Sequence, residues 1–267
     1  LTGNRAIISN VFAPDLKLDA DDLVFLTDLD ISGASEVVAG AAMTIRNFQS
    51  GAQASFVAAG QVVLAEGLTV GGDLTVQSSS NNIVLSDSVN VTGMATMQAS
   101  GGITGLSQMA LSASQLSLSA IDFVEFSSTS AQAITGDVDI SARLLNILGT
   151  LDGAGQINLN ATHYLYVSGD ISGDQDINMN VLGIGSLTLA GSVDAEGGVS
   201  MVTDEGPIQI SNAQIKGHDL SLLGDGEVVM SHADIDVLAD VQVTELDALS
   251  IVGLDIKAHK TSFTGVQ

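Results

Sequence analysis

Pairs of apolar residues recur every 20 to 22 residues along the second half of this chain, and no other feature constrains its fold as strongly. Within most pairs a polar residue separates the two apolar ones, as in Leu187-Thr188-Leu189. Such alternation is expected of a β-strand with one buried face and one solvent-exposed face. The first set of pairs begins at Ile157, Ile177, Val199, Leu220 and Val241.

Two further sets of pairs keep the same spacing. The second set begins at Leu165, Leu187, Ile208, Val228 and Leu249. The third set begins at Ile171, Val193, Ile215, Ile235 and Ile256. Three alternating segments per repeat predict a chain that winds coil upon coil, because each coil buries its apolar residues only against its neighbours. The predicted fold class is all-β: a parallel β-helix, or β-solenoid, of roughly 12 coils, each with about 20–22 residues and three short strands.

The repeat extends over most of the chain, and we expect a single β-helix domain spanning residues 1–267. The most regular coils are predicted at 138–258. The Ser-rich stretch 101–133 is harder to phase, so an irregular region is expected there, with a longer turn or small excursion near 121–132. Because the chain starts at Leu1 without a basic and then apolar leader, we expect a processed product or a piece of a longer protein.

The side-chain charges limit the classes of partner. The chain has 31 acidic and only 7 basic residues, which gives a formal net charge of −24. Nucleic acid is excluded as a partner, because phosphate binding needs clustered Lys and Arg. No apolar run approaches the roughly 18 residues of a membrane-spanning helix, so no membrane insertion is expected. The chain has no cysteine, which excludes disulfides and thiolate metal sites.

Several coils resemble those of a known family. The resemblance rests on three segments: 71–76 (Gly-Gly-Asp-Leu-Thr-Val), 155–160 (Gly-Gln-Ile-Asn-Leu-Asn) and 185–193 (Gly-Ser-Leu-Thr-Leu-Ala-Gly-Ser-Val). They are similar to the coils of the filamentous haemagglutinin family, which includes two-partner-secreted exoproteins and the stalks of contact-dependent inhibition proteins. The resemblance covers most of the chain, best over 138–258. It implies a secreted, surface-associated β-helical shaft that serves adhesion or delivery.

Pectin-degrading enzymes also use parallel β-helices, so catalysis has to be weighed. A lyase of that kind needs a basic residue beside calcium-binding carboxylates. Lys216 and Lys257 share a phase of the third set, but Asp236 lies between them and places them two coils apart. The basic residues therefore form no cluster, and we expect no enzyme. A polysaccharide-binding or polysaccharide-degrading β-helix stays open as the alternative function.

One cluster of polar and aromatic residues is a candidate ligand site. Tyr164 and Tyr166 flank Leu165 in the outward phase, and His163 precedes them. Because exposed aromatic rings offer both an apolar face and a polar edge, the cluster predicts a small ligand-binding patch. The alternative is that these are ordinary surface residues of a sheet face.

Carboxylates cluster at two predicted turns and are candidate calcium ligands. Asp19, Asp21 and Asp22 lie in one turn, and Asp174 and Asp176 lie in the other. Carboxylate oxygens are preferred by calcium, although neither stretch has the spacing of an EF-hand loop. Calcium is the one cofactor that the sequence leaves open. The alternative is that these carboxylates form an ordinary solvated acidic surface. A calcium-stabilised extracellular matrix protein is accordingly a third functional alternative.

Two patterns predict structural roles instead. Asn158 should stack on Asn178 and Asn160 on Asn180 in successive coils, with the amides hydrogen-bonded along the stack. The histidines lack the spacing of a zinc site, and His232 is expected in a turn.

Together these features predict a structural protein, namely a shaft segment of a bacterial adhesin or filament that is secreted or displayed on the cell surface. The strand edges at the two ends of a stack are open to pairing. The predicted partners are therefore further coils of the same polypeptide or copies of the chain joined end to end. A cell-surface or glycan receptor is a further candidate partner.

Overall fold

The computed structural model of the chain describes residues 2–106, 108–127, 131–244 and 248–264. These residues form 34 strands, and no helix occurs among them. The chain divides into two units, Leu1–Thr135 and Gly136–Gln267, and each is a stack of parallel strands. The two units contain about 13 turns in total. The parallel β-solenoid is thus confirmed, whereas a single domain over 1–267 stays a prediction.

The first unit contains 17 strands, which are short and alternate between buried and exposed positions. They are β1 (Thr2–Gly3), β2 (Ala6–Ala13), β3 (Leu16–Ala20), β4 (Val24–Ile31), β5 (Ser35–Ala39), β6 (Met43–Ser50), β7 (Ala54–Ala58), β8 (Val62–Val70), β9 (Leu74–Ser78), β10 (Ile83–Leu85), β11 (Val89–Val91), β12 (Met94–Ala99), β13 (Ile103–Gly105), β14 (Ala110–Ala113), β15 (Gln115–Ala120), β16 (Phe123–Phe126) and β17 (Ala131–Ile134).

The strands of the first unit build three parallel ladders. The long strands β2, β4, β6 and β8 each bend once, so that their two halves lie in different ladders. Strands β10, β13 and β16 continue the ladder of the first halves. Strands β11, β14 and β17 continue the ladder of the second halves. The third ladder consists of β1, β3, β5, β7, β9, β12 and β15.

The bends of the four long strands lie at residues with positive φ. These are Asn10, Asp28, Asn47 and Glu66, with φ between 43° and 58°, and Gly67 follows at 88°. Asn and Asp enter the left-handed region more readily than other residues with a side chain, which suits three of the four positions. The Nδ2 of Asn47 donates a hydrogen bond to the Oδ1 of Asp28 at 2.6 Å, which ties two successive bends together.

The second unit repeats this architecture with 17 further strands. They are β18 (Val138–Ile147), β19 (Thr150–Gly153), β20 (Ile157–Val167), β21 (Asp170–Gly173), β22 (Ile177–Val181), β23 (Ser186–Leu189), β24 (Ser192–Ala195), β25 (Val199–Thr203), β26 (Ile208–Ser211), β27 (Gln214–Gly217), β28 (Leu220–Gly224), β29 (Glu227–Ser231), β30 (Asp234–Val237), β31 (Asp240–Thr244), β32 (Ala248–Val252), β33 (Asp255–Lys257) and β34 (Lys260–Thr264).

We name the three ladders of the second unit by their order along the chain. Face 1 contains the first halves of β18 and β20, followed by β22, β25, β28, β31 and β34. Face 2 contains the second halves of β18 and β20, followed by β23, β26, β29 and β32. Face 3 contains β19, β21, β24, β27, β30 and β33.

The strand register of the second unit is the one that the apolar repeat predicts. Leu165 pairs with Leu187 on face 2, and Ile171 pairs with Val193 on face 3. These side chains are at most 1% exposed, so the alternation correctly identified the core. On face 1 the partners are spaced by 20, 22, 21 and 21 residues, and they are Ile157, Ile177, Val199, Leu220 and Val241.

Within the stretch 101–133 the described residues form strands of the same ladders, and the excursion expected near 121–132 stays a prediction. Strand β16 pairs with β13 through Val124 and Ile103, and Phe126 is fully buried. Strand β17 pairs with β14, while residues 128–130 lie outside the described part of the chain. The pattern is hard to phase because small residues such as Ala113 and Ala120 occupy core positions here.

Candidate functional site

The predicted cluster of His163, Tyr164 and Tyr166 lies on β20. The two tyrosine rings stand on the outer surface of face 2, with centroids 6.2 Å apart and planes 7° from parallel. Both are half-buried, and His163 is exposed at the adjoining corner. Tyr164 lies in register between Leu144 and Ser186 of the neighbouring coils. The structure brings the cluster to one surface, and ligand binding there stays a prediction.

The carboxylates of Asp19, Asp21 and Asp22 lie at the end of β3 and in the turn after it, and all three residues are exposed. The backbone oxygen of Asp22 accepts a hydrogen bond from the N–H of Ala41 at 3.0 Å. Within the described ranges, no group of three or more His, Cys, Asp or Glu side chains is placed to hold a metal ion. Calcium binding stays a prediction, which melting with calcium and with a chelator tests.

The other predicted calcium pair, Asp174 and Asp176, lies in the turn between β21 and β22, and both residues are exposed. The Oδ1 of Asp176 accepts a hydrogen bond from the backbone N–H of Gly198, one coil later, at 2.8 Å. This carboxylate therefore has a structural role in joining two coils.

Asp176 belongs to a set of six contacts that we call corner clamps. In each clamp an Asp or Asn directly before a strand accepts, through Oδ1, a hydrogen bond from a backbone N–H at or just before the start of the strand one coil later. The clamps, acceptor first, are Asp15 with Ala34, Asp73 with Met94, Asn82 with Gly102, Asp137 with Gln156, Asp176 with Gly198 and Asp219 with Asp240, at 2.7 to 3.1 Å.

Glycine makes five of the six clamps possible. A glycine directly precedes the donating N–H, and a Cβ at that glycine would overlap the accepting oxygen. These glycines are Gly33, Gly93, Gly101, Gly155 and Gly197. Sequence reasoning missed the clamps, although their signal is present: an Asp or Asn immediately before an apolar pair, and a glycine before the next coil's pair.

The predicted asparagine ladder is confirmed on the outer surface of face 1. The Nδ2 of Asn178 donates to the Oδ1 of Asn158 at 3.0 Å, and the Nδ2 of Asn180 donates to the Oδ1 of Asn160 at 2.9 Å. The first column extends one coil further, because the Nδ2 of Asn158 donates to the Oδ1 of Asp139 at 2.8 Å.

A column of alternating charge runs along face 3. Asp194, Lys216, Asp236 and Lys257 are register partners in four successive coils. The Nζ of Lys257 lies 3.9 Å from the Oδ2 of Asp236, and both side chains are more than half exposed. The sequence-based placement of Asp236 between the two lysines is therefore confirmed, and the column holds lysines apart rather than gathering them.

His218 and His232 lie in turns between strands. His232 has a φ of 52° and donates its backbone N–H to the oxygen of Val252, which confirms its predicted place in a turn. The Nδ1 of His218 lies 2.7 Å from the Oδ2 of Asp219. This hydrogen bond, with a second one from the backbone N–H of Asp240, holds the pKa of the Asp219 carboxyl below its usual value of 3.8.

The described residues include no helix that is long and apolar enough to cross a membrane. Comparisons of the chain with models of protein families, with curated proteins and with solved structures found no match. What the structure shows is the fold, a parallel β-solenoid, and this fold is compatible with a β-helical shaft.

Proposed function

We propose that the chain is a structural shaft segment of an extracellular bacterial adhesin or filament, without catalytic activity. The observation that carries the proposal is the strand register, which each unit keeps from coil to coil on all three faces. In such a stack every coil is stabilised by its two neighbours, so stability accumulates with length. That property suits a shaft, whose function is to hold other parts of a protein away from a surface.

Side chains on the outside of the stack support the proposal. The amide ladder of Asn158 and Asn178, and the clamp between Asp137 and Gln156, both run from one coil to the next. Each hydrogen bond of this kind contributes about 0.5–1.5 kcal/mol. The outer residues thus reinforce the same contacts that the core makes.

The last described coil of the second unit supports the proposed partners. Ile251 and Phe263 are 42% and 40% exposed, whereas their register partners one coil earlier, Met230 and Val243, are 1% and 0% exposed. A further coil over Ile251 and Phe263 would remove their apolar surface from water. The proposed partners are therefore further coils of the same polypeptide or copies of the chain joined end to end.

The proposed location is the bacterial cell surface or the extracellular space. It rests on the resemblance of 71–76, 155–160 and 185–193 to coils of the filamentous haemagglutinin family. The large negative charge, −24, agrees with a protein that stays soluble at high local concentration.

Electron microscopy of the native material tests the shaft. We expect a thin continuous fibre or stalk that contains this segment; short isolated particles would count against the proposal. The intact mass of the native product then distinguishes the two assemblies. A mass equal to that of residues 1–267 would support copies joined end to end, and a larger mass would support one long polypeptide.

A second candidate function is polysaccharide binding, favoured by the parallel rings of Tyr164 and Tyr166. Parallel rings on a sheet surface offer a flat apolar platform whose hydroxyl groups can bond to a sugar. A glycan array tests this, with a Tyr164→Ala and Tyr166→Ala double variant as the control. Binding that is equal in both proteins, or absent in both, would remove this candidate, and a reducing-end assay covers the degrading alternative.

A further inference from the structure

The corner between faces 1 and 2 of the second unit carries an exposed apolar loop. In the third coil this corner is Leu182-Gly183-Ile184-Gly185, between β22 and β23. Leu182 is 51% exposed and Ile184 is 74% exposed. Neighbouring apolar side chains that are exposed on an ordered loop are typical of an interaction surface.

Contacts with the coils on either side hold the backbone of this loop. The N–H of Leu182 donates to the oxygen of Ala161 at 2.9 Å, and the N–H of Gly183 donates to the Oδ2 of Asp204 at 3.1 Å. Gly183 has a φ of 108°, which a residue with a side chain rarely adopts. The two aliphatic side chains are therefore displayed by a loop with fixed attachments.

An acidic groove lies in the two coils after this loop. Its walls include Val202 and Leu223, which are register partners on the outer surface of face 1. The carboxyl groups of Asp204, Glu205 and Asp225 line the same groove. Among the described residues, none of these three carboxylates forms an ion pair with Lys or Arg.

The groove has the chemistry that a basic side chain needs. Lys and Arg place their methylene stems along apolar surface and keep their charge at the polar edge. Val202 and Leu223 can pack against such a stem, and the carboxylates of Glu205 and Asp225 can meet its charge. An acid-rimmed surface would also attract a basic partner during encounter.

We propose that this corner binds a basic amphipathic segment of a partner protein. A large aliphatic side chain of the partner packs on Leu182 and Ile184, and a Lys or Arg enters the groove. The loop and Leu223 lie two coils apart, or roughly 10 Å, which about three extended residues span. The carboxylates of Glu205 and Asp225 lie on the groove side of the loop, so the basic end of the partner faces the groove. This lateral surface is independent of the proposed stacking of coils.

Two labelled peptides of equal charge test the proposal. The first is Lys-Lys-Ser-Leu-Leu-Gly and the second is Lys-Lys-Ser-Ser-Ser-Gly. Fluorescence anisotropy measures the affinity of each peptide for the protein at the same salt concentration. Because only the first peptide can place an aliphatic side chain on Leu182 and Ile184, we expect it to bind at least about tenfold more tightly than the second. Equal affinities, or no binding of the first peptide, would overturn the proposal.

Two pairs of variants locate the surface. Leu182→Asn with Ile184→Asn should lower the affinity for the first peptide about tenfold, whereas Leu238→Asn, at a residue that is 78% exposed on another corner, should leave it unchanged. The double variant Glu205→Gln with Asp225→Asn should weaken the binding of both peptides. The control double variant, Asp19→Asn with Asp22→Asn, removes the same charge elsewhere and should weaken their binding less. Equal losses from the groove and control variants would mean that net charge alone attracts the peptides, and would contradict the proposal.

Discussion

The carboxylate of Asp137 accepts a hydrogen bond from the backbone N–H of Gln156 at 2.9 Å, across a corner of two successive coils. Its Oδ1 occupies the space that a Cβ on the residue before Gln156 would need, and that residue is Gly155. Glycine is required at position 155 because the Asp137 carboxylate of the preceding coil approaches it closely. The clamp therefore depends on the contact between two stacked coils.

Gly155→Ala should destabilise the protein by about 1–3 kcal/mol, because the new Cβ would overlap Asp137 and force the corner apart. Gly198→Ala is the matched control, since a Cβ there meets its nearest atoms at 3.7 to 4.0 Å. Thermal unfolding checks both variants. Equal midpoints for Gly155→Ala and Gly198→Ala would show that the corner can accommodate a Cβ at residue 155.

Asp176→Ala should cost about 0.5–1.5 kcal/mol, because the N–H of Gly198 loses its acceptor. Asp174→Ala, two residues earlier and also exposed, should change the free energy of unfolding by less than about 0.5 kcal/mol. Urea unfolding measures the difference between them. If Asp174→Ala lowered the free energy of unfolding more than Asp176→Ala did, the clamp would not explain how Asp176 stabilises the fold.

Gln132→Leu should stabilise the protein by about 1–3 kcal/mol, because a buried amide without partners is costly. Gln132 is 1% exposed and lies in register with Leu111. Among the described residues, its Nε2 and Oε1 have no hydrogen-bond partner. Gln98→Leu, on the exposed side of β12, is the control and should leave the melting midpoint almost unchanged. A lower midpoint for Gln132→Leu would mean that the amide is satisfied.

His218→Ala should raise the pKa of Asp219, because the hydrogen bond from His218 is the largest cause of its lowered value. A lowered folded pKa means that ionised Asp219 stabilises the fold. That contribution is present above the usual value of 3.8 and is lost as the pH falls through the folded pKa. The carboxyl carbon shift of Asp219, followed by NMR over acid pH, measures this. His259→Ala, beside Asp240 at 3.9 Å, should leave the Asp219 titration in place.

The core could be predicted from sequence because alternation decides which side chains face inward. The pairs that begin at Ile157, Ile177 and Val199 became register partners for that reason. The same phase correctly placed Asp236 between Lys216 and Lys257.

The corners could not be predicted in the same way. A corner clamp joins residues 19 to 22 positions apart, and that spacing varies with the length of each corner. Apolar alternation also says nothing about a loop between strands, so the exposure of Leu182 and Ile184 was not expected. Strands β16 and β17 lie in a stretch that the repeat could not phase, because small side chains such as Ala120 fill the core there.

A disulfide between coils tests the stacked register most directly, because the natural chain has no cysteine. Asn158 and Asn178 are register partners 20 residues apart, and neighbouring strands separated by roughly 4.8 Å bring their Cα atoms within disulfide range. Asn158→Cys with Asn178→Cys should oxidise to an intramolecular disulfide in the folded protein. Asn158→Cys with Met179→Cys should not, because Met179 faces the core. The opposite result, with the second pair cross-linking and the first staying reduced, would contradict the stacked register and with it the proposed shaft.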